Sequence, residues 1–385
     1  MNNYCKLNII LFLAFLSFKS FGFMFGFGDS VKYEDVPESI EECISEVFSH
    51  VDNGTELSLS TLKKLGAFVL STHTKTKAWE LEKRWEAEGA GITAVFPYEL
   101  EKCVPLYFSA NVPDYSIFFP LLRYSTKINF DNFLSVRERC IISRPKTNTM
   151  VTGSYTCTES ITPNLQTGAC FSYTNTRTLI RGNINGNDIL VSMSKMHSPS
   201  TYSTRGITVG PPENNLYYFS DKEGINLTGL KWVRSRMYVS RTMAIYVKGP
   251  KNQTVIMIFT WMAAGWNNIN VIKTKNIYRV LQQSIKLMGL LAEKQSELDK
   301  SLPKIMDEMN KMDENDVNKL FKLYCDYVSK CIKQGAGENV TSKQAKLLRN
   351  LYDKKTLDAM PLKYRKSLII QEKVRRVIDK PTWMQ

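Results

Sequence analysis

Side chains that could perform acid–base or nucleophilic chemistry are few in this sequence of 385 residues. It contains no His-Glu-x-x-His zinc motif, no Gly-x-Ser-x-Gly nucleophile motif and no P-loop. The segment Met193–Pro199 ends a predicted strand with a serine and a histidine, so a Ser–His pair and a surface histidine are both open interpretations. The histidines are His50, His73 and His197, and the acids that could pair are Glu99, Glu101 and Asp114. These acids have the spacing of helix-surface residues, so the sequence predicts no enzyme, no cofactor and no metal site.

Arginine is the second chemically distinctive residue type, because its guanidinium group binds a phosphate through two hydrogen bonds. Arg234, Arg236 and Arg241 lie on or beside predicted strands at 229–235 and 237–247. Strand alternation places Arg234 and Arg236 on the same face. Both therefore line an interior or both are solvated, and the sequence leaves that choice open.

The N-terminus has the pattern of a secretory signal peptide. Lys6 precedes an apolar run from Leu7 to Phe18, and Ser20–Gly22 supplies small residues at the cleavage spacing. A cleaved peptide is favoured over an uncleaved anchor, because the run is short for a bilayer span. The predicted location is secreted or extracytoplasmic, including a vacuolar or host-facing compartment. Secretion permits disulfides, and a hairpin around Pro163 would place Cys157 opposite Cys170.

The formal net charge of +14 is concentrated near the C-terminus. Residues 341–385 contain twelve Lys and Arg against four Asp and Glu, a net charge of +8. One interpretation is a solvated basic helix surface, and the other is attraction to acidic phospholipid headgroups. Nucleic acid is not an expected partner of a secreted protein.

The elements that must position these residues centre on Lys231–Glu293. Alternating residues predict strands at 237–247 and 254–262 joined by a turn, and helical spacing predicts a long helix over 276–298. The strand 254–262 is apolar on both faces, so apolar structure must cover both. The helix is one cover. The other side of the sheet adjoins either a filled core or a hollow for an apolar ligand.

Short alternating segments also recur from residue 132 onward, which predicts a meandering antiparallel sheet. One of these predicted strands covers 133–142. Beyond the long helix, Pro303 predicts a break before an amphipathic helix at 304–334. The predicted class is α+β, with a curved antiparallel sheet closed by a long helix and followed by a helical arm.

Several segments resemble the START (StAR-related lipid transfer) family, which has the helix-grip fold. Val191–Ser200 is similar to a family strand that carries Ser and then His-Pro, although Ser198 separates His197 from Pro199. Trp232–Arg241 resembles the later Arg-bearing strands, and Ile256–Trp266 resembles the last strand with the glycine before the closing helix. The Pro expected after that glycine is absent. Phe118–Leu122 stands where the family usually has a Trp before an acidic residue or Pro.

The resemblance covers roughly 75–300 and includes the secreted phospholipid transfer proteins of apicomplexan parasites. It implies that a single lipid is held between the sheet and the helix and is transferred between membranes. The lipid that it implies first is a phospholipid. The residues that it implies for the cavity are Trp232, Arg234, Arg236, Arg241, Met257, Phe259, Trp261 and Met288. The implied divisions are a signal peptide at 1–22, a leader with helices at 23–74, a START-like domain at 75–300 and a basic helical arm at 301–385 that contacts acidic membranes.

Two other functions fit the same pattern. One is a lipocalin-like binder of a small apolar ligand, against which the long helix after the last strand argues. The other is a secreted structural or host-interaction protein whose core is packed and has no cavity.

Overall fold

The computed structural model describes residues 31–74, 76–110, 112–118, 121–163, 169–209, 216–227, 231–333 and 360–378. The signal-peptide segment and all of 334–359 lie outside these residues. The strands of the main sheet are β1 Tyr33–Asp35, β2 Lys77–Arg84, β3 Ala87–Phe96, β4 Leu122–Lys127, β5 Thr149–Ile161, β6 Phe171–Ile184, β7 Asn187–Met196, β12 Arg236–Lys248, β13 Thr254–Trp266 and β14 Ile269–Asn270. Two small hairpins pair β8 Thr204–Val209 with β9 Leu216–Glu223, and β10 Ile225–Leu227 with β11 Lys231–Val233.

The order of strands places β3, an early strand, beside β13, a late one. It runs β1-β2-β3-β13-β12-β7-β6-β5-β4, with β14 added to β13. Every pair is antiparallel except β1 with β2. The predicted β12–β13 hairpin is confirmed, with Thr242 opposite Thr260. Because β13 lies between β3 and β12, both of its faces must be covered, as its composition predicts.

The helices are α1 Glu38–Asn53, α2 Leu59–Ser71, α3 Leu100–Tyr107, α4 Asp114–Ile117, α5 Phe130–Arg137, α6 Thr274–Glu293, α7 Gln295–Lys311, α8 Glu314–Lys333 and α9 Leu362–Val377. At the start of α2, the Ser58 side chain accepts a hydrogen bond from the Thr61 amide at 3.1 Å and so caps the helix. No helix in the described chain has the length and apolar character needed to span a bilayer.

Helices α1 and α2 cover one side of the sheet, which we call the outer face. Large side chains of the sheet, including Met243, Phe259 and Trp261, pack there against Ile44, Leu65 and their neighbours. Two glycines of β3 make room for the rings. A Cβ on Gly91 would lie 2.5 Å from Cδ1 of Phe259, so only glycine fits without movement. The outer face is therefore a solid core.

The other side, which we call the inner face, is covered by α3, α5, α6 and the helices that follow. Buried residues of α6, such as Leu281 and Met288, belong to the same cluster as Ile256 and Ile258 of β13. Helix α6 lies across β3 and β13. The architecture is thus α+β, with a curved, unclosed antiparallel sheet closed by a long helix, as the sequence predicts.

Two predicted elements differ in the structure. Residues 133–142 form the end of α5 and a π-helical turn at Glu138–Ile142, so the predicted strand is wrong. Phe133, Val136, Cys140 and Ile141 are buried at helical spacing, and this pattern outweighs the local alternation. The break expected at Pro303 is also wrong. Helix α7 continues through Pro303 because its flanking residues Leu302 and Ile305 are buried, and the chain bends at Lys294 instead.

The predicted Cys157–Cys170 disulfide is wrong because the hairpin register differs from the one assumed. Cys157 lies opposite Asn175, which is five residues beyond Cys170. At about 3.3 Å per residue this offset separates the two cysteines by roughly 16 Å along the strand, too far for a disulfide. Cys170 instead forms an isolated β-bridge with Thr204.

Candidate functional site

The two faces of the central strands differ in how completely they are filled. On the outer face, Met243, Ile245 and Phe259 have no accessible surface. On the inner face, the small residues Ser192 of β7 and Ala244 of β12 each retain 7% of their surface although they lie in the middle of the sheet. Small side chains that keep accessible surface beneath covering helices indicate incompletely filled space on the inner face.

A cluster of charged side chains lies at the β4–β5–β6 end of this inner face. We call it the polar centre, and its members are Lys127 at the end of β4, Asp114 at the start of α4, Glu159 on β5 and Arg177 on β6. Lys127 Nζ lies 2.8 Å from Asp114 Oδ1. Arg177 Nη2 lies 3.2 Å from Glu159 Oε1, and Arg177 Nη1 lies 3.8 Å from Asp114 Oδ2.

Tyrosines surround the polar centre. The Tyr173 hydroxyl donates a hydrogen bond to Glu159 Oε2 at 3.0 Å. Burial raises the pKa of Tyr155, Tyr173 and Tyr246, which keeps all three neutral donors at ordinary pH. Burial alone would lower the pKa of Arg177, but the Tyr155 oxygen and the carboxylates of Glu159 and Asp114 raise it. The guanidinium group therefore remains cationic.

Arg177 also reports on the space around it. Its guanidinium group contacts Glu159 and Asp114, and 16% of its side-chain surface is accessible. Tyr173 is likewise half-buried. Partly accessible side chains on the helix-covered inner face border the incompletely filled space there. We therefore place the polar centre on the wall of that space.

The polar centre is electrically balanced, because its two cations face two carboxylates. Asp114 Oδ2 is buried and has no hydrogen-bond partner among the described residues. The centre can therefore donate hydrogen bonds from Arg177 and accept one at Asp114 without a change in its net charge. The described residues contain no cluster of His, Cys, Asp and Glu that could hold a metal ion.

The residues predicted to contact the lipid chains are divided between the two faces. Met257, Phe259 and Trp261 lie on the outer face among the side chains that contact α1 and α2, so they do not line a space beneath α6. Trp261 is fixed there by a 2.9 Å hydrogen bond from Nε1 to the Glu82 carbonyl. Met288 lies on the sheet-facing side of α6, where it is buried.

The arginines predicted to bind a headgroup are not brought together. Arg234 is 70% exposed and pairs with Glu223 at 2.9 Å. Arg236 stacks on Tyr202 with its guanidinium carbon 3.9 Å from the ring centre. Arg241 lies on the outer face, 2.6 Å from Asp52. Trp232 lies on β11, which pairs with β10 in a separate two-stranded sheet.

Sequence reasoning missed most of the polar centre and treated Asp114 as a surface residue. A signal was present in the strands. Tyr155, Cys157 and Glu159 share one face of β5, and Tyr173 and Arg177 share one face of β6, so polar and aromatic types occur where a simple core would be aliphatic. The register that places these two sets opposite each other was needed to find the site.

The order of the strands and the position of α6 give the chain a helix-grip arrangement, a curved antiparallel sheet closed by a long helix. No protein-family model and no curated protein matches the sequence. Among solved structures, human STARD10 matches with 11% identity and a TM-score of 0.32, covering 65% of this chain and 86% of that one. The lipid transfer and protein localization domain of human StarD13 (DLC2) matches with 7% identity and a TM-score of 0.28, covering 62% of this chain and 96% of that one.

Proposed function

We propose that this protein holds a single lipid between the inner face of its sheet and α6, and that it carries the lipid between membranes. The observation that carries the proposal is the contrast between the two faces. The outer face is filled by large side chains, whereas the inner face keeps accessible surface at Ser192, Ala244 and Arg177. Each buried CH₂ of an acyl chain would contribute about 0.8 kcal/mol, so two chains provide a large driving force.

The polar centre supports a phospholipid with a zwitterionic headgroup. Arg177 and Lys127 can face a phosphate, while Asp114 and Glu159 can face the positive group of the headgroup. An anionic lipid would add an uncompensated charge to an enclosed site that is already balanced, which is costly. We therefore expect zwitterionic phospholipids to be preferred over anionic ones.

Lipid content tests the proposal directly. The purified protein is extracted with organic solvent, and the extract is analysed by mass spectrometry. We expect about one lipid per protein, and transfer between donor and acceptor vesicles in a separate assay. A folded protein that contains no lipid and transfers none would refute the proposal and favour the interpretation as a packed structural protein.

A pair of variants on one strand localises the lipid. Ala244→Phe places a ring on the inner face, where we expect it to occupy the lipid space and reduce the bound lipid severalfold. Met243→Leu is the matched control, because Met243 is the preceding residue on the strand and its side chain lies on the outer face. Equal lipid content in both variants would place the ligand elsewhere.

The proposed location is the secretory route, on the basis of Lys6 and the apolar run at 7–18. The test is the intact mass and N-terminal sequence of the protein isolated from its natural source. Removal of about 22 residues is the expected result, and an intact Met1 would contradict it.

A further inference from the structure

The exposed large hydrophobic side chains of the described residues are concentrated at one place. Four of the eight lie between residues 128 and 142, on the β4–α5 connection, α5 and the π-helical turn. We call them the apolar stripe: Ile128, Phe130, Leu134 and Ile142, with exposures of 58%, 47%, 38% and 45%. Phe130 and Leu134 are one helical turn apart, so they lie on the same side of α5.

This segment is held firmly although its apolar residues face outward. Arg137 Nε donates to the Phe108 carbonyl at 2.8 Å, and Asn132 Nδ2 donates to the Ser154 carbonyl at 2.9 Å. The π-helical turn is held by buried Arg181, whose Nη1 donates to the Ile141 carbonyl at 2.7 Å. The exposed positions are therefore part of a fixed surface, with Phe133 and Val136 anchoring the opposite side of α5 in the core.

The apolar stripe lies one aromatic ring away from the polar centre. The ring centroids of Phe130 and Phe133 are 5.8 Å apart, and Phe133 packs edge-on against Tyr155 at 4.9 Å. Lys127 Nζ lies 4.5 Å from the centre of the Phe133 ring while it also contacts Asp114. The apolar stripe and the wall of the internal space are therefore connected through Phe133.

We infer that the apolar stripe is the surface by which this protein docks on membranes, with Ile128, Phe130 and Leu134 entering the interfacial region of the bilayer. The inference rests on the proposed carrier function, because a carrier must meet the membranes that it serves. It assigns that contact to α5, whereas the sequence assigned it to the basic C-terminal arm. In α9, Lys373 pairs with Glu308 at 2.7 Å and Arg375 is buried, so part of that charge is used within the molecule.

Size favours a bilayer over a protein partner. A stable protein interface takes about 20 residues from each partner, and four side chains are too few for it. A bilayer accepts such a small apolar wedge, with basic residues beside it in contact with anionic headgroups. Arg139 and Lys146 are exposed beside the stripe, together with Asp131 and Glu138, on a chain whose net charge is +14.

Flotation with phosphatidylcholine vesicles, prepared with and without phosphatidylserine, tests the inference on the full chain. The variant Ile128→Ser/Phe130→Ser/Leu134→Ser should bind vesicles at least about tenfold more weakly than the wild type. Leu323→Ser is the matched control, because Leu323 is 48% exposed on α8. It should bind as the wild type does. Vesicle binding of the triple variant equal to that of the control would overturn the inference.

Two further readouts separate this inference from the carrier proposal. The triple variant should contain as much extracted lipid as the wild type, since its substitutions lie outside the internal space. Lipid-free wild-type protein would refute the carrier proposal, whereas normal lipid content with unimpaired vesicle binding by the triple variant would refute only the docking surface. A wild-type dimer that the triple substitution converts to a monomer, with unchanged vesicle binding, would assign the stripe to self-association and overturn the inference.

Hydrogen exchange tests the docking surface on the wild-type protein, so this test does not require the triple variant to fold. Amides in 130–137 should exchange more slowly when vesicles are present, whereas those of α8 around Leu323 should not change. Unchanged exchange in 130–137 would overturn the docking surface by itself.

Discussion

Arg177 on β6 and Glu159 on β5 form an ion pair along the hairpin, with 3.2 Å between Nη2 and Oε1, although the residue opposite Arg177 is Tyr155. The same guanidinium group lies 3.8 Å from Asp114 on α4. One cation therefore compensates two carboxylates that come from different elements. This contact connects the sheet to the short helix that also supplies the partner of Lys127.

Removal of that cation should be costly. In Arg177→Met, Glu159 and Asp114 would lose the cation between them in an enclosed site, and we expect the free energy of unfolding to fall by about 3 kcal/mol. Bound lipid should also be lost. Urea unfolding and lipid extraction measure the two effects.

The double variant Arg177→Met/Glu159→Gln separates stability from binding. Removing one carboxylate together with the cation should restore most of the unfolding free energy without restoring the lipid. Recovery of both would mean that Arg177 has no direct contact with the headgroup.

Gly91→Ala should destabilise the protein by about 2 kcal/mol, because the new methyl group would meet the Phe259 ring in a filled core. Gly289→Ala on α6 is the control for the same chemical change. Its Cβ would lie 3.6 Å from Phe96, an ordinary contact, and Ala favours a helix by up to about 1 kcal/mol over Gly. Thermal unfolding should therefore show shifts of opposite sign, and a neutral Gly91→Ala would contradict the packing described for the outer face.

Asp52→Asn should weaken the attachment of α1 in a pH-dependent way. Burial alone would raise the pKa of Asp52, but hydrogen bonds from Lys195 and Arg241 outweigh it, and the pKa is lowered. A carboxylate whose pKa is lower in the folded state contributes stability above its unfolded pKa of about 4, and this contribution disappears as the pH falls through the folded value. Melting temperatures of wild type and variant should therefore differ at pH 7 and converge in acid. A constant difference would rule out the ionised carboxylate as the cause.

Tyr107→Phe should loosen the closing helix. The Tyr107 hydroxyl on α3 donates a hydrogen bond to the Met288 carbonyl in the second half of α6, 2.9 Å away and buried. Its loss should cost about 1 kcal/mol. Amide exchange in the second half of α6 should accelerate while that of α1 stays constant, and unchanged exchange in α6 would show that the contact does not hold the helix.

The sequence predicted the elements that depend on neighbouring residues. Alternation fixed the β12–β13 hairpin and helical spacing fixed α6, because those patterns are local. It did not predict which face of β13 lies beneath α6. Phe259 and Ile258 are both apolar, and amphipathic helices cover both faces, so only the packing of α1 and α2 on the Phe259 side decides between them.

The polar centre could not be predicted for a related reason. Asp114, Glu159 and Arg177 come from one helix and two strands, and their meeting depends on a hairpin register five residues away from the assumed one. From a single sequence, a charged residue is expected to lie on the surface. Its burial becomes evident only when its partners are known.

The pairing of β3 with β13 has a consequence for how the chain is made. Gly91 lies opposite Phe259, so the β2–β3 hairpin leaves the ribosome long before the strand that completes its sheet. During that interval β3 presents an unpaired backbone edge with apolar side chains on both faces, a surface prone to aggregation. Nascent chains of this protein should therefore depend on chaperones until Trp266 has emerged, and fragments that end before β13 should accumulate as insoluble material.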